Sequence, residues 1–409
     1  MPAHDTDHPH PGRALEVLVA FFKLGLTSFG GPVAHLGYFR TEFVQRRGWL
    51  DDARYADLVA LCQFLPGPAS SQVGMALGLQ RAGWRGALMA WIGFTLPSAL
   101  LLVLLAQGLA GHTSLADSGA VHGLKVVAVA VVAQAVWGMA RSLCPDLPRA
   151  VLALAAAGLC LALPSALGQL GAIVACGLVG GWWLAAPAAR AEGAPEPGPG
   201  VSRRAGGLAL ALFALLLVGL PLLALAQPGG PWALVEAFYR AGALVFGGGH
   251  VVLPLLQASL VPPGWLDNGA FLAGYGAAQA VPGPLFTFAA YLGAAVPAQA
   301  GGWPGGWAGA ALALVAIFLP GFLVVVGVLP FWARWRGRAG VRAAVAGVNA
   351  GVVGLLLAAL AGPVWGSAIH GAADLALALA ALVLLVGARA SPPLVVLLGA
   401  LAGAWLGVG

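Results

Sequence analysis

The chain has 409 residues, of which 60% are hydrophobic and only 8% charged, with a formal charge of +6 and a mean hydropathy of +0.91. This composition excludes an ordinary soluble domain and predicts an integral membrane protein. The basic excess, which in a soluble protein would suggest nucleic acid, here follows from arginine-rich cytoplasmic loops, and nucleic-acid binding is set aside.

The opening MPAHDTDHPHPGR lacks the basic, apolar and small-residue regions of a signal peptide, so the first span is expected to remain in the protein. His4, His8 and His10 with Asp5 and Asp7 could ligate a metal there. Short histidine-bearing termini are ordinarily disordered, however, and no metal or cofactor is assigned. Apolar runs follow at 87–110, 150–163 joined to 169–186, 206–227, 309–330, 343–362, 372–388 and 392–408. Each is long enough, or nearly so, to cross a hydrocarbon core of about 30 Å as a helix. Nothing alternates with period two, so the expected fold is an all-α polytopic bundle and not a barrel. Cys62, Cys144, Cys160 and Cys176 form no CxxC pair and imply neither a disulfide framework nor a metal knuckle.

The first span contains FKLGLTSFGGPVAHLG (22–37), and this stretch has a partner, FYRAGALVFGGGHVVL (238–253). Phe21, Lys23, Gly25, Phe29, Gly30 and Gly31 align with Phe238, Arg240, Gly242, Phe246, Gly247 and Gly248. Further along, WLDD (49–52) answers WLDN (265–268), QFLPGP (63–68) answers QAVPGP (279–284), FTLPS (94–98) answers FLPG (318–321), and GLK (123–125) answers GVN (347–349). The expected organisation is an N-terminal tail (1–14), a first membrane repeat (15–184), a Pro/Gly-rich linker (185–207) and a second membrane repeat (208–409).

Basic residues decide how the halves run. Arg40, Arg46, Arg47, Arg54, Arg81 and Arg85 fill first-half loops whose second-half counterparts have none, whereas FWARWRGRAGVR (331–342) answers a first-half loop without Lys or Arg. That reversal predicts inverted-topology repeats, with broken or re-entrant helices at the GG(P/G) and PGP motifs. All Lys and Arg then land on the cytoplasmic side or in the linker except Lys23, Lys125 and Arg240.

Those exceptions are candidate substrate ligands, because a charge at membrane depth ordinarily lines a cavity, although each could instead snorkel to the interface. Lys125 matches Asn349 in the second half. The breaks at Gly30-Gly31-Pro32, Gly247-Gly248-Gly249, Pro66-Gly67-Pro68 and Pro282-Gly283-Pro284 would start new half-helices whose unpaired N–H groups suit an anion. They could equally be kinks for close packing. Ser70, Ser71, Gln72 and Thr287 after the PGP motifs, and Gln63 and Gln279 before them, supply neutral donors. His250, His35 and Asp57 are candidate proton carriers, against the plainer roles of core histidine and cap. Asp51 and Asp267 are expected to cap the helices that follow WL. No GxSxG, HExxH, P-loop or Rossmann pattern is present, so an enzyme is not expected.

At FGGPVAHL, WLDD and PGP in the first half, and FGGGHVVLPLL, QAVPGPLFTFAAYLG, FLPGFLVVVGVLPFW and GVNAGVVGLL in the second, the sequence resembles the chromate ion transporter family, in its long two-repeat form. The resemblance covers 15–362. It implies export of chromate, a tetrahedral dianion, across the bacterial plasma membrane by the proton motive force, conferring chromate resistance. Sulfate is a competitor or an alternative substrate, and a non-transporting sensor or scaffold is the rival class. The lipid bilayer is the obligate environment, and a homo-oligomer is compatible with the sequence.

Overall fold

The computed structural model describes residues 11–111, 118–185, 201–298, 300–332 and 338–406. The tail residues His4 to His10, most of the 185–207 linker and the Arg334–Arg336 loop lie outside the described residues. Among the described residues every regular element is helical. The first half comprises α1 (Pro11–Thr27), α2 (Gly31–Phe39), α3 (Asp52–Phe64), α4 (Ala69–Gly111), α5 (Gly119–Leu143), α6 (Leu147–Ala162) and α7 (Ala166–Trp183). After α8 (Arg203–Ala226) the second half comprises α9 (Pro231–Leu244), α10 (Val252–Leu260), α11 (Asn268–Ala278), α12 (Phe288–Ala295), α13 (Gly306–Val328), α14 (Ala339–Ala359), α15 (Ala372–Val386) and α16 (Pro392–Leu406). The two series match if α4, which breaks at Ala82 and Gly83, stands for the pair α12 and α13.

α4, α5, α7, α8, α13 and α14 are each long and apolar enough to cross a membrane by length and composition. Two of the shorter helices have a visible cause. α3 rises only ~20 Å, well short of the hydrocarbon thickness, because Asp51 Oδ1 caps it at Arg54 N (2.8 Å) and the PGP motif ends it. Asp267 caps α11 at Ala270 N in the same way (2.8 Å). One expected span is corrected: 150–163 does not join 169–186. The chain stops at Leu163, turns at Pro164, and restarts where Ser165 accepts from Gly168 N, so α6 and α7 are separate packed helices.

Glycine sets the closest packing in each half. A Cβ on Gly25 of α1 would meet the Gly93 and Phe94 carbonyls of α4 at 2.7 and 3.0 Å, and one on Gly242 of α9 would clash with the Ile317 carbonyl of α13. Small residues let helix backbones touch where lipid supplies no hydrophobic drive. Phe21, Phe39 and Phe94 are fully buried behind this contact, with ring centroids 5.1 to 6.4 Å apart. The halves interlock, since α5 packs on α15 and α16, while α14 packs on α6 and α7. Outward faces are apolar. On α8, Leu208, Leu215, Val218, Leu222 and Leu225 are all exposed, and each would forfeit about 1.5–3 kcal/mol if water were its solvent.

Candidate functional site

The glycine breaks and the PGP motifs meet at the junction of the halves. α1 ends at Thr27; Gly30, in the left-handed region at φ 98°, then starts α2 with Pro32 in its first turn. In the second half Gly247 (φ 72°) and Gly248 (φ 152°) lead through a short 3-10 turn into α10. Each PGP glycine donates its N–H across the junction: Gly67 N to Val245 O at 2.7 Å, and Gly283 N to Ser28 O at 2.9 Å. Ser28 and Val245 are equivalent positions, as are Gly67 and Gly283. Each half thus satisfies the carbonyl left over at the other half's helix break, an exchange that buried backbone requires.

A second matched pair carries the charge difference. Arg40 donates to Asp52 (2.7 Å) in the first half, and at the equivalent positions Gln257 donates to Asn268 (2.6 Å). A charged pair at one end of the molecule is answered by a neutral one in the other half. The Arg40 guanidinium holds the Asp52 carboxyl below its usual value. Burial alone would raise Glu42, but hydrogen bonds from Arg47 and Arg46 bring it below the usual range.

Both glycine breaks line a cavity of about 540 Å³, together with Ser28, Gln134, Ser142, His250, Gln279 and Gly283. Of these lining residues, Ser28 Oγ and Gln279 Nε2 are buried without a hydrogen-bond partner, a state that ordinarily costs about 1–3 kcal/mol. The first turn of α2 and the residues that follow Gly248 and Gly283 lie along the same cavity wall. A groove between α4 and α13 is walled by Trp84, Trp91, Phe318 and Phe322 and offers an anion almost no donor.

Of the predicted residues, the structure brings Gly30, Gly31, Gly247, Gly248, Gly283, Gln279 and His250 to this cavity. Asn349 lies at its edge, with Oδ1 buried, unpartnered and next to Gly247. His35 sits one layer behind. Its Nε2 lies 3.2 Å from Ser28 O, which can only accept, so Nε2 carries the proton and Ser70 donates to Nδ1 at 3.3 Å. Ser71 Oγ is buried without a partner, and Thr287 Oγ1 donates to Pro284 O. Gly67 faces Gln72 and Gly321 and does not line the cavity. Asp57 is buried and accepts from Trp332 Nε1 at 3.3 Å, across the halves.

Three of the candidates lie away from this cavity. Lys23 is exposed and lines no part of the cavity, because on α1 the face carrying Phe21, Leu24 and Gly25 packs on α4 and Lys23 falls on the opposite side. Arg240 is half-buried but paired with Glu236, one turn earlier on α9, and with Ser259 Oγ at 3.2 Å. Gln63 is exposed on α3. Lys125 turns its amine to Gly269 at the start of α11, beside the Asp267 carboxylate. Residues the sequence reading passed over are Ser28, Gln134 and Ser142. Gln134 had a signal, a lone amide within a helix of valines and alanines.

A helical polytopic membrane protein whose broken helices line a shared cavity is built as many membrane transporters are. The model of the chromate transporter family matches residues 15–181 and 232–404, one stretch in each half, and the chain belongs to that family. It is 29% identical to a chromate transport protein of Pseudomonas aeruginosa, over 85% of this chain and 80% of the relative. It is 28% identical to a chromate transport protein of Cupriavidus metallidurans over 97% of this chain and 94% of the relative. A probable chromate transport protein of Synechococcus elongatus is 26% identical over 97% and 96%. No solved structure gives a significant match.

Proposed function

We propose that this protein is a secondary active exporter of chromate in the bacterial inner membrane, and that the cavity between the two glycine breaks is its oxyanion site. The observation that carries the site assignment is a cavity that both halves build, among whose lining residues Ser28 Oγ and Gln279 Nε2 are buried donors without a partner. The anion is held by neutral donors and helix N-termini, not by Lys23 or Arg240. A dianion so held is stabilised by oriented dipoles without a fixed countercharge, and is therefore free to leave when access alternates. The two repeats are inverted in the membrane, consistent with the exchange of Arg40–Asp52 for Gln257–Asn268, and rocking of one against the other moves the site between faces.

His250 is the proton-coupling group. Its ring lines the cavity and shares a hydrogen bond with Tyr275 Oη through Nδ1 (2.7 Å), whereas His35 has both ring nitrogens committed. Sulfate, of the same shape and charge, competes at the same site. Inside-out vesicles supplied with external labelled chromate under an imposed pH gradient test this. Uptake should require the gradient, fall with excess sulfate, and lose its gradient dependence in His250→Gln. Uptake indifferent to the gradient would end the coupling claim.

A further inference from the structure

Away from the cavity, at the other end of α5 from Arg141, three ligand-type side chains from both halves converge. His122 on α5, and His370 and Asp374 at the start of α15, place one donor atom each within 4.8 Å of one another. From His122 to Arg141 the helix rises roughly 28 Å, so the cluster lies at the membrane face opposite that arginine. His122 Nε2 is 2.8 Å from Asp374 Oδ1, and the two imidazole rings stand 5.9 Å apart, inclined at 32°.

We propose that His122, His370 and Asp374 form a binding site for a divalent transition ion of the zinc class, joining α5 of the first half to α15 of the second. Two imidazoles and one carboxylate with an open fourth position for water are a ligand set that zinc accepts in tetrahedral geometry. Imidazole ligands favour zinc, copper or nickel over calcium or magnesium.

The carboxylate is already oriented for the task. Asp374 Oδ2 accepts from His370 N (2.9 Å) and Gly371 N (3.2 Å) as α15 begins, which turns Oδ1 toward His122. Such outer hydrogen bonds fix the ligands of metal sites. Asp374 is only 3% exposed, and its described partners are one imidazole and two backbone amides. A buried carboxylate with no fixed cation beside it gains most from a divalent ion. Lys125, one turn along α5, points its amine to Gly269 instead. His370 is exposed, so an ion has a path in. On binding, His122 presents the Nε2 lone pair with its ring proton on Nδ1, and His370 rotates its ring to close the set.

The test is equilibrium Zn²⁺ binding to the full chain, purified without a histidine tag. The protein is compared with His370→Ala, with Asp374→Asn, and with a variant whose tail histidines His4, His8 and His10 are all Ala. The expected result is one Zn²⁺ per chain in the wild type and the tail variant, a rise in thermal unfolding temperature on Zn²⁺ addition, and at least tenfold weaker binding in His370→Ala. His370 is exposed, so its loss should leave apo stability unchanged and separates ligation from folding. Binding that survives both His370→Ala and Asp374→Asn, that disappears with the tail histidines, that Ca²⁺ matches, or that is absent at micromolar Zn²⁺ would overturn the site.

Discussion

Gly283→Ala is the sharpest probe of the junction. Gly283 holds φ at 94°, which an alanine reaches only at about 1–3 kcal/mol. Its new Cβ would stand 3.0 Å from Ser98 Oγ and 3.1 Å from the Phe94 carbonyl, so α4 must shift. That shift weakens the N–H bond to Ser28 O, worth about 0.5–1.5 kcal/mol net. Together the loss is about 1.5–4.5 kcal/mol, or roughly 13- to 2,000-fold in the folding equilibrium. The control is Gly31→Ala, also at positive φ (76°), whose Cβ meets nothing within 4 Å and which should cost only about 1–2 kcal/mol. Equilibrium unfolding in mixed micelles reads both values. If Gly283→Ala is no worse than Gly31→Ala, the cross-half contact does not hold the junction, and the reasoning built on it fails.

The remaining predictions concern the charges. Lys23→Ala, on an exposed face, should change stability by no more than about 0.5 kcal/mol and leave chromate affinity unaltered; loss of affinity with normal expression would restore Lys23 as a ligand. Arg240→Ala strands the partly buried Glu236, and the double variant with Glu236→Ala should recover about 1–3 kcal/mol of the damage. Additive losses in a double-mutant cycle would contradict the pairing. Asp52 and Glu42 have carboxyls held below their ordinary values, so the stability they contribute is full above the unfolded pKa of about 4 and is lost as pH falls through the lower folded values. An unfolding titration of Asp52→Asn should show a shallower acid slope than the wild type below about pH 4, and an identical slope would remove Asp52 from the account.

Much of this was legible in the chain because Gly, Pro and capping Asp act locally. Gly30, Gly247, Gly67 and Gly283 mark breaks whatever surrounds them, and Asp51 and Asp267 cap from three residues away. The repeat was legible for the same reason. What the sequence lists without resolving is the face. Lys23 and Arg240 recur at equivalent positions, yet their helices turn them away from the cavity, and Glu236, one turn before Arg240, was the neglected sign of a closed ion pair. The neutral donors were harder to see, since Ser28 and Gln134 acquire meaning only when α1 and α5 from one half meet Gln279 from the other. The His122–His370–Asp374 cluster joins residues far apart in sequence, which no local pattern could bring together.

The central claim is that neutral donors at the junction hold the oxyanion. Equilibrium binding of labelled chromate to purified Gln279→Leu tests it most directly. Removing one hydrogen bond to a charged ligand costs about 1.5–3 kcal/mol, so the account predicts about 10- to 160-fold weaker binding, with folding and expression intact because the amide nitrogen has no protein partner to lose. Unchanged affinity in Gln279→Leu, with binding abolished instead by Lys23→Ala, would contradict it.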